Sequence, residues 1–511
     1  MTKTYEELKT RLSAIHDLHM ARAILGWDQH TKMPPKGGEV RAEQLGTLDR
    51  FSHELFIDDE IGQLLDEVRD YEESAGYDSN DGSLIRITRR DYEKAKRVPP
   101  ELRAEMTRVG AMALPAWIEA REKSDFSIFL PHLKKNLELT HRYIDCFEGM
   151  GYESAYDVLL DDFDEGLTAG EVRTVFDELK RELVPLIAQI AENADRVDDS
   201  SLHGDFPIEK QRSFALQVLE RMGFDHEAWR LDPTVHPFAM SAGTKDIRLT
   251  TRYDETDLSV SLFATIHEFG HGFYESNVDP EFERTSLASV TSMSLHESQS
   301  RMWENLVGRG LPMWRFFYPK LQETFPKQFA DVELDAFYGA INKVEPSFIR
   351  VEADEVTYNM HIILRFELEQ EMLSGDLALE DLPEAWNARM SEYLGIDVPD
   401  DAHGVLQDVH WSGGAIGYFP TYSLGNVVSV QLWEKLTGEL PDVSSQFERG
   451  EFGDLAGWLR ENLHQHGRKY TSKEMLQRIT GGGMDPAPYI RYLKSKMGEI
   501  YGLPVEAGAT A

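Results

Sequence analysis

The stretch His267-Glu268-Phe269-Gly270-His271 constrains this chain more than any other, because its two histidines can act on one point only if the backbone around them is α-helical. On an α-helix, positions i and i+4 lie one above the other. His267 and His271 then aim two imidazole nitrogens at a common point, as a tetrahedral zinc site with one open position requires of its first two ligands. Glu268 is placed to take a proton from a water that the metal activates. The flanks agree with a helix. Leu262, Phe263, Ile266, Phe269 and Phe273 repeat at helical spacing. Asp254 to Asp257 put negative charge near its start, and Asn277 and Pro280 end it. The bland alternative is a buried helix with two satisfied histidines. A third ligand weighs against it.

That ligand should be a histidine or a carboxylate on another element. No third histidine follows at metzincin spacing. Glu297 lies 26 positions after His271, in Leu295-His296-Glu297-Ser298, inside a stretch from Ser289 to Trp303 that reads as a helix. His296 competes with it, and spacing alone does not separate the two.

Composition narrows the function. The chain has 511 residues, 41% hydrophobic and 28% charged, which fits a globular protein with a large core. Its net charge is −37, from 53 basic and 90 acidic residues, so nucleic acid and anionic membranes are not expected partners. Cys146 is the single cysteine, so no intramolecular disulfide can form and a reducing, cytoplasmic compartment is expected. Met1 to Lys9 lacks the apolar core of a signal peptide, and no run of about 18 apolar residues suggests a membrane span.

Taken in order, residues 4–150 read as helix after helix. Tyr5 to Trp27 is amphipathic and breaks into a loop at Met33 to Gly38. Glu39 restarts a helix through Ser52, and Pro99-Pro100 begins a long one toward Ala120. Thr168 and Glu171 form a capping-box pattern ahead of a helix to Ala194. The acidic run Asp161 to Glu165 lacks EF-hand spacing and reads as a solvated loop. Residues 231–253 change character, and Asp246 to Tyr253 predicts a short hairpin or edge strand just before the zinc helix. Such an edge could hold an extended peptide or could be purely structural. A second irregular stretch runs from Gly404 to Gly425, with a helix expected from Val427 to Leu436. Val505 to Ala511 is expected to fray.

Several stretches together resemble the M32 metallocarboxypeptidases, the thermostable-carboxypeptidase group. They are His236-Pro237-Phe238, Asp246-Ile247-Arg248-Leu249-Thr250, the His267 to His271 pentad, His296-Glu297-Ser298-Gln299, Ile349 to Asp354, and Gly404 to Trp411. Trp27-Asp28-Gln29 through Met33-Pro34, and Arg41-Ala42, resemble it too. The resemblance spans nearly the whole chain.

It implies a mainly α, helical zinc-peptidase fold with a deep substrate cleft and a small β-sheet beside the pentad helix. It implies one catalytic domain over 1–511, with a helical half, 1–230, covering the cleft and a zinc-binding half, 231–511. It implies one zinc per chain on His267, His271 and Glu297, with cobalt able to substitute, and Glu268 as the catalytic carboxylate. The implied reaction removes single residues from peptides with a free C-terminus, often by a homodimer. Arg350 is the matching position for a clamp on the terminal carboxylate, a task that a bidentate, always-charged guanidinium suits. His236, His410, Tyr418 and Tyr422 are candidate substrate-binding donors for the oxyanion. Asp246, Arg248 and Asp354 read as a structural ion-pair network, with a substrate subsite as the alternative. The competing readings are a cytosolic zinc endo-oligopeptidase and a helical scaffold with structural zinc; Arg350 argues against the first and Glu268 against the second.

Overall fold

A computed structural model of the chain describes residues 3–504. The tail Val505 to Ala511 lies outside the described residues. Helices dominate. Lys3–Thr31, Gly38–Phe56, Asn80–Arg97, Pro100–Lys123, Phe126–Asp145 and Ala169–Ala191 precede the pentad, and Leu311–Thr324, Tyr358–Ser374, Pro420–Glu439 and Ala487–Tyr501 are the long ones after it. Local sequence explains many boundaries. Pro100 opens its helix, where a missing N–H costs nothing. The Thr168–Glu171 capping box is present in full. The first helix runs to Thr31, four residues past the expected break at Trp27. Arg41 explains the tight turn that follows: it donates to Leu25 O (2.7 Å) and to Asp28 Oδ2 (2.8 Å), tying the second helix to the end of the first.

The described residues divide into two compact units. The first comprises the residues up to Lys96, Asp199–Ile341 and Leu432–Gly483. The second comprises Arg97–Asp198, Asn342–Gln431 and the described residues from Met484. The units interleave along the chain, so they do not coincide with halves divided at residue 230. The helix Ile208–Met222 shows why. Its Gln211 bonds the Asp254 carbonyl (2.7 Å) and the Ser261 hydroxyl (2.5 Å), which ties residues before 230 to the pentad helix.

The first unit holds a three-stranded sheet in the order β1-β3-β2, where β1 is Trp229–Pro233, β2 Ala239–Ser241 and β3 Ile247–Thr251. β3 pairs parallel with β1 and antiparallel with β2. It is therefore the central strand, not an edge. Ile247, Leu249, Thr250 and Thr251 are all buried, as suits a strand covered on both faces. Trp229, Phe269, Phe273 and Trp303 form a continuous aromatic core behind the pentad helix, with ring centroids 5.1–5.5 Å apart. The second unit packs Val98, Leu102, Leu139, Phe147 and Val158 into a core of its own. Within it, the helix expected from Val427 begins at Pro420, inside the stretch that reads as irregular. Among the described residues, no helix is long and apolar enough to cross a membrane.

Candidate metal centre

The pentad lies within the helix Leu258–Ser276. Asp257 caps it, accepting a hydrogen bond from Ser259 N at 2.8 Å. Two glycines let this helix approach its neighbours. A Cβ on Gly270 would lie 2.6 Å from Gln299 O and from Ser300 Cα. A Cβ on Gly272 would meet side-chain atoms of Ile247, Leu249 and Trp229 at 2.7–3.0 Å. The helix is thus pressed against the sheet on one side and against the helix Met293–Arg301 on the other.

That second helix begins at Ser292, which caps it, not at Ser289. It brings Glu297 to the histidines. Glu297 Oε2 lies 3.6 Å from His267 Nε2 and 3.4 Å from His271 Nε2. One ligand atom from each residue falls within 4.8 Å of the others. His296, the neighbour that spacing could not exclude, points elsewhere: its ring lies tilted against His271 (centroids 4.1 Å, planes 37° apart) and its Nε2 sits 3.2 Å from Glu275 Oε1. Two imidazole nitrogens and one carboxylate oxygen, converging from rigid helices and held by buried partners, suit a divalent cation with a position left open.

The partners of these three residues were not foreseen from sequence. After Arg301 the backbone widens into a π-helix, Met302–Gly308, which carries Glu304. Glu304 Oε2 lies 2.8 Å from His267 Nδ1, so it fixes the ring with Nε2 toward Glu297. Arg301 donates from Nε to Glu297 Oε1 (2.7 Å) and from an Nη to Glu304 Oε2 (3.2 Å). Ser300 Oγ adds a hydrogen bond to Glu297 Oε2. The signal for Glu304 is its place seven residues after Glu297, on the same helical face.

Charge follows from these contacts. Burial would raise Glu297, but Arg301 and the two histidines hold it well below the usual carboxylate range. Burial likewise works upward on Glu304, yet Arg301 and His267 bring it down to about 2. Burial disfavours a charged His267, and is outweighed by the Glu297 charge and the Glu304 hydrogen bond, so its pKa lies above the ordinary imidazole value. Burial and the neighbouring His296 push His271 down to about 3. Glu268 is buried, and desolvation raises it to about 7. A carboxyl group with that pKa can both accept and return a proton near neutrality.

In the second unit, Arg350, His410, Tyr418 and Tyr422 come together. Arg350 is buried and bonds Asp408 Oδ1 (2.8 Å) and Tyr358 Oη (3.0 Å). Its guanidinium lies 5.0 Å from the centre of the Tyr422 ring. Tyr422 Oη is 3.4 Å from His410 Nε2, and His410 stacks on Tyr418 (5.7 Å). Asp408 also binds Arg365 at 2.6 Å, so two guanidiniums share one carboxylate. Burial, with those two cations, pushes His410 down to about 4 despite Asp408. His236 is not part of this cluster. It belongs to the first unit and is exposed between β1 and β2.

A family model described as Carboxypeptidase Taq (M32) metallopeptidase matches residues 7–497. The chain belongs to the M32 metallopeptidases. It is 40% identical over 500 residues to carboxypeptidase 1 of Bacillus subtilis, covering 98% of this chain and 99% of that protein. It is 41% identical over 487 residues to thermostable carboxypeptidase 1 of Thermus thermophilus, covering 94% and 95%. The crystal structure of the M32 carboxypeptidase from Deinococcus radiodurans superposes with a TM-score of 0.94 at 39% identity, covering 98% of this chain and all of that one. The chain is thus a metallocarboxypeptidase, a peptide-bond hydrolase with a mainly α fold and a metal ion.

Of the residues of this M32 enzyme read as an ion-pair network, Asp246 and Arg248 form a pair, and Asp354 does not join them: it is held by hydrogen bonds. Arg248 holds Asp246 with two 2.8 Å hydrogen bonds while its guanidinium covers Trp27 at 4.6 Å. Asp354 accepts from Val356 N, Thr357 N and Glu345 N, a helix-capping arrangement.

Proposed function

We propose that this M32 carboxypeptidase is a zinc enzyme that removes single residues from the C-terminus of peptides, with one zinc on His267, His271 and Glu297. The observation that carries this reading is the convergence of those three ligand atoms within 4.8 Å, beside a buried and protonatable Glu268. The donor set, two nitrogens and one hard oxygen, suits zinc and admits cobalt. When bound, the ion supplies Lewis acidity, which polarises a peptide carbonyl and makes a water acidic near neutrality.

The chain's own residues do the rest. Glu268 takes the proton as water adds to the last peptide carbonyl, then delivers it to the leaving amine. Arg301 keeps Glu297 Oε1 occupied, so Oε2 is the oxygen offered to the metal. Glu304 keeps the His267 tautomer with its Nε2 lone pair toward the site. Arg350 is the ligand for the substrate's terminal carboxylate. Asp408 and Tyr358 occupy three of its five N–H groups, which leaves two for a substrate. The excess positive charge of Arg350 and Arg365 over Asp408 favours an added carboxylate. His410, Tyr418, Tyr422 and His236 are the candidate donors to the developing oxyanion. A single cysteine, which can form no intramolecular disulfide, suits a cytoplasmic enzyme, and a homodimer is the proposed assembly.

One peptide in two forms, with a free C-terminal carboxylate and with a C-terminal amide, tests the reading by mass spectrometry with zinc present. Stepwise loss of C-terminal residues from the free acid alone is expected. Internal cuts in both forms would replace it with an endo-oligopeptidase. A zinc-loaded protein inert toward both would leave a structural metal.

A further inference from the structure

A cavity of about 790 Å³ opens within the first unit. Glu275, one helical turn beyond His271, lines it, so it borders the metal centre. Strand β2 and residues 242–244 form one wall, and Leu12, Ile15, Met20 and Ile24 of the first helix form another. Pockets of about 300–1,000 Å³ enclose ligands far larger than one amino acid. A carboxypeptidase releases a single residue, so a space of this size suits the residues that precede the cleaved bond.

β2 offers a means to hold their backbone. It is an outer strand. Phe238 O accepts from Thr250 N (3.0 Å) and Ala242 N donates to Asp246 O (2.9 Å), so the even-numbered residues exchange bonds with β3. The alternation of an antiparallel ladder then turns the N–H and C=O groups of Ala239 and Ser241 away from β3. Among the described residues, neither makes a further backbone hydrogen bond. An extended peptide can pair there.

Charge indicates which side chain fits. Asp17, Asp91, Glu275 and Glu283 line the cavity against only Arg284 and Arg468. Asp17 is bound by Arg284 and Asp91 by Arg468. Glu275 and Glu283 have no lysine or arginine partner among the described residues. Glu275 Oε1 faces His296 Nε2 at 3.2 Å while its buried Oε2 has no hydrogen-bond partner among them, and Glu283 accepts from Thr244. Burial keeps His16 and His19, which also line the cavity, below the ordinary imidazole value and so neutral. Apolar walls ending in two carboxylates that lack a lysine or arginine partner among the described residues match a long aliphatic stem with a cationic head.

We propose that this cavity is the subsite for the residues preceding the cleaved bond, that their backbone pairs with β2, and that Glu275 and Glu283 select a lysine or arginine side chain there. The inference rests on the C-terminal release proposed above.

Three peptides test it, identical except for arginine, norleucine or glutamate immediately before the C-terminal residue. Two quantities are read: kcat/KM with the zinc-loaded enzyme, and Kd with the Glu268→Gln protein. Arginine should exceed norleucine by about tenfold in both, with glutamate lowest. Glu275→Gln with Glu283→Gln should bring the arginine-to-norleucine ratio to about one. Glu283→Gln alone, at an exposed position, should lower that ratio as well. Equal binding of the arginine and norleucine peptides, or a preference the double variant preserves, overturns the proposal. An arginine preference in Kd without release of a C-terminal residue upholds the charge selection and overturns the proposed reaction instead.

Discussion

Glu304 shows how a side chain that touches no substrate governs the centre. It holds His267 through Nδ1 and is itself held by Arg301 and Arg309. Glu304→Gln should weaken zinc binding by about tenfold, read by competition with a chelating dye. The pH dependence of that affinity has a definite sign. His267 must be neutral to bind, and its pKa without metal is raised, so protons compete already from above its ordinary value. Zinc affinity should therefore fall as pH drops through neutrality, by about tenfold per unit for one displaced proton. His271, held down to about 3, adds no competition until strong acid. Glu304→Gln removes one cause of the raised pKa, so the onset of the fall should move to lower pH. Glu268→Gln should retain zinc and lower kcat/KM by about a hundred- to ten-thousand-fold. Metal analysis and peptide hydrolysis on one preparation check both halves of that statement.

At the scale of elements, the close approach of two helices sets the ligand triangle. Gly270 faces backbone, which cannot rotate away, whereas Gly272 faces side chains of the sheet. Gly270→Ala should separate the His267 helix from the Glu297 helix, lowering thermal stability by about 1–3 kcal/mol and weakening zinc binding with it. Gly272→Ala should cost comparable stability while disturbing zinc affinity less. Equal zinc affinities in the two variants would refute this division. The helices themselves were legible in the sequence, because periodicity, caps and prolines act within a few residues. The Thr168–Glu171 box and the Pro100 start appear as read. The central place of β3 was not legible, since β1 and β2 are short and their pairing is set by burial against the pentad helix. Nor was the π-helix, which no local residue preference announces.

At the scale of the molecule, the net charge of −37 should draw cationic peptides toward the enzyme. Raising ionic strength should lower kcat/KM for a cationic peptide and leave a neutral one nearly unchanged. Chelation of zinc should abolish hydrolysis and lower the melting temperature, both restored on adding zinc, because the bound ion stabilises only the folded chain. The pentad, its apolar helix face and the two adjacent candidates for a third ligand were all determined by the sequence, since each depends on spacing within a few residues. Only the tertiary structure decided that Glu297 and not His296 faces the two histidines, that Glu304 and Arg301 brace them, that Arg350 and Arg365 share Asp408, and that the two units interleave. Those outcomes depend on which helices approach at a glycine and on which charges are buried together, and such contacts join segments far apart in the chain.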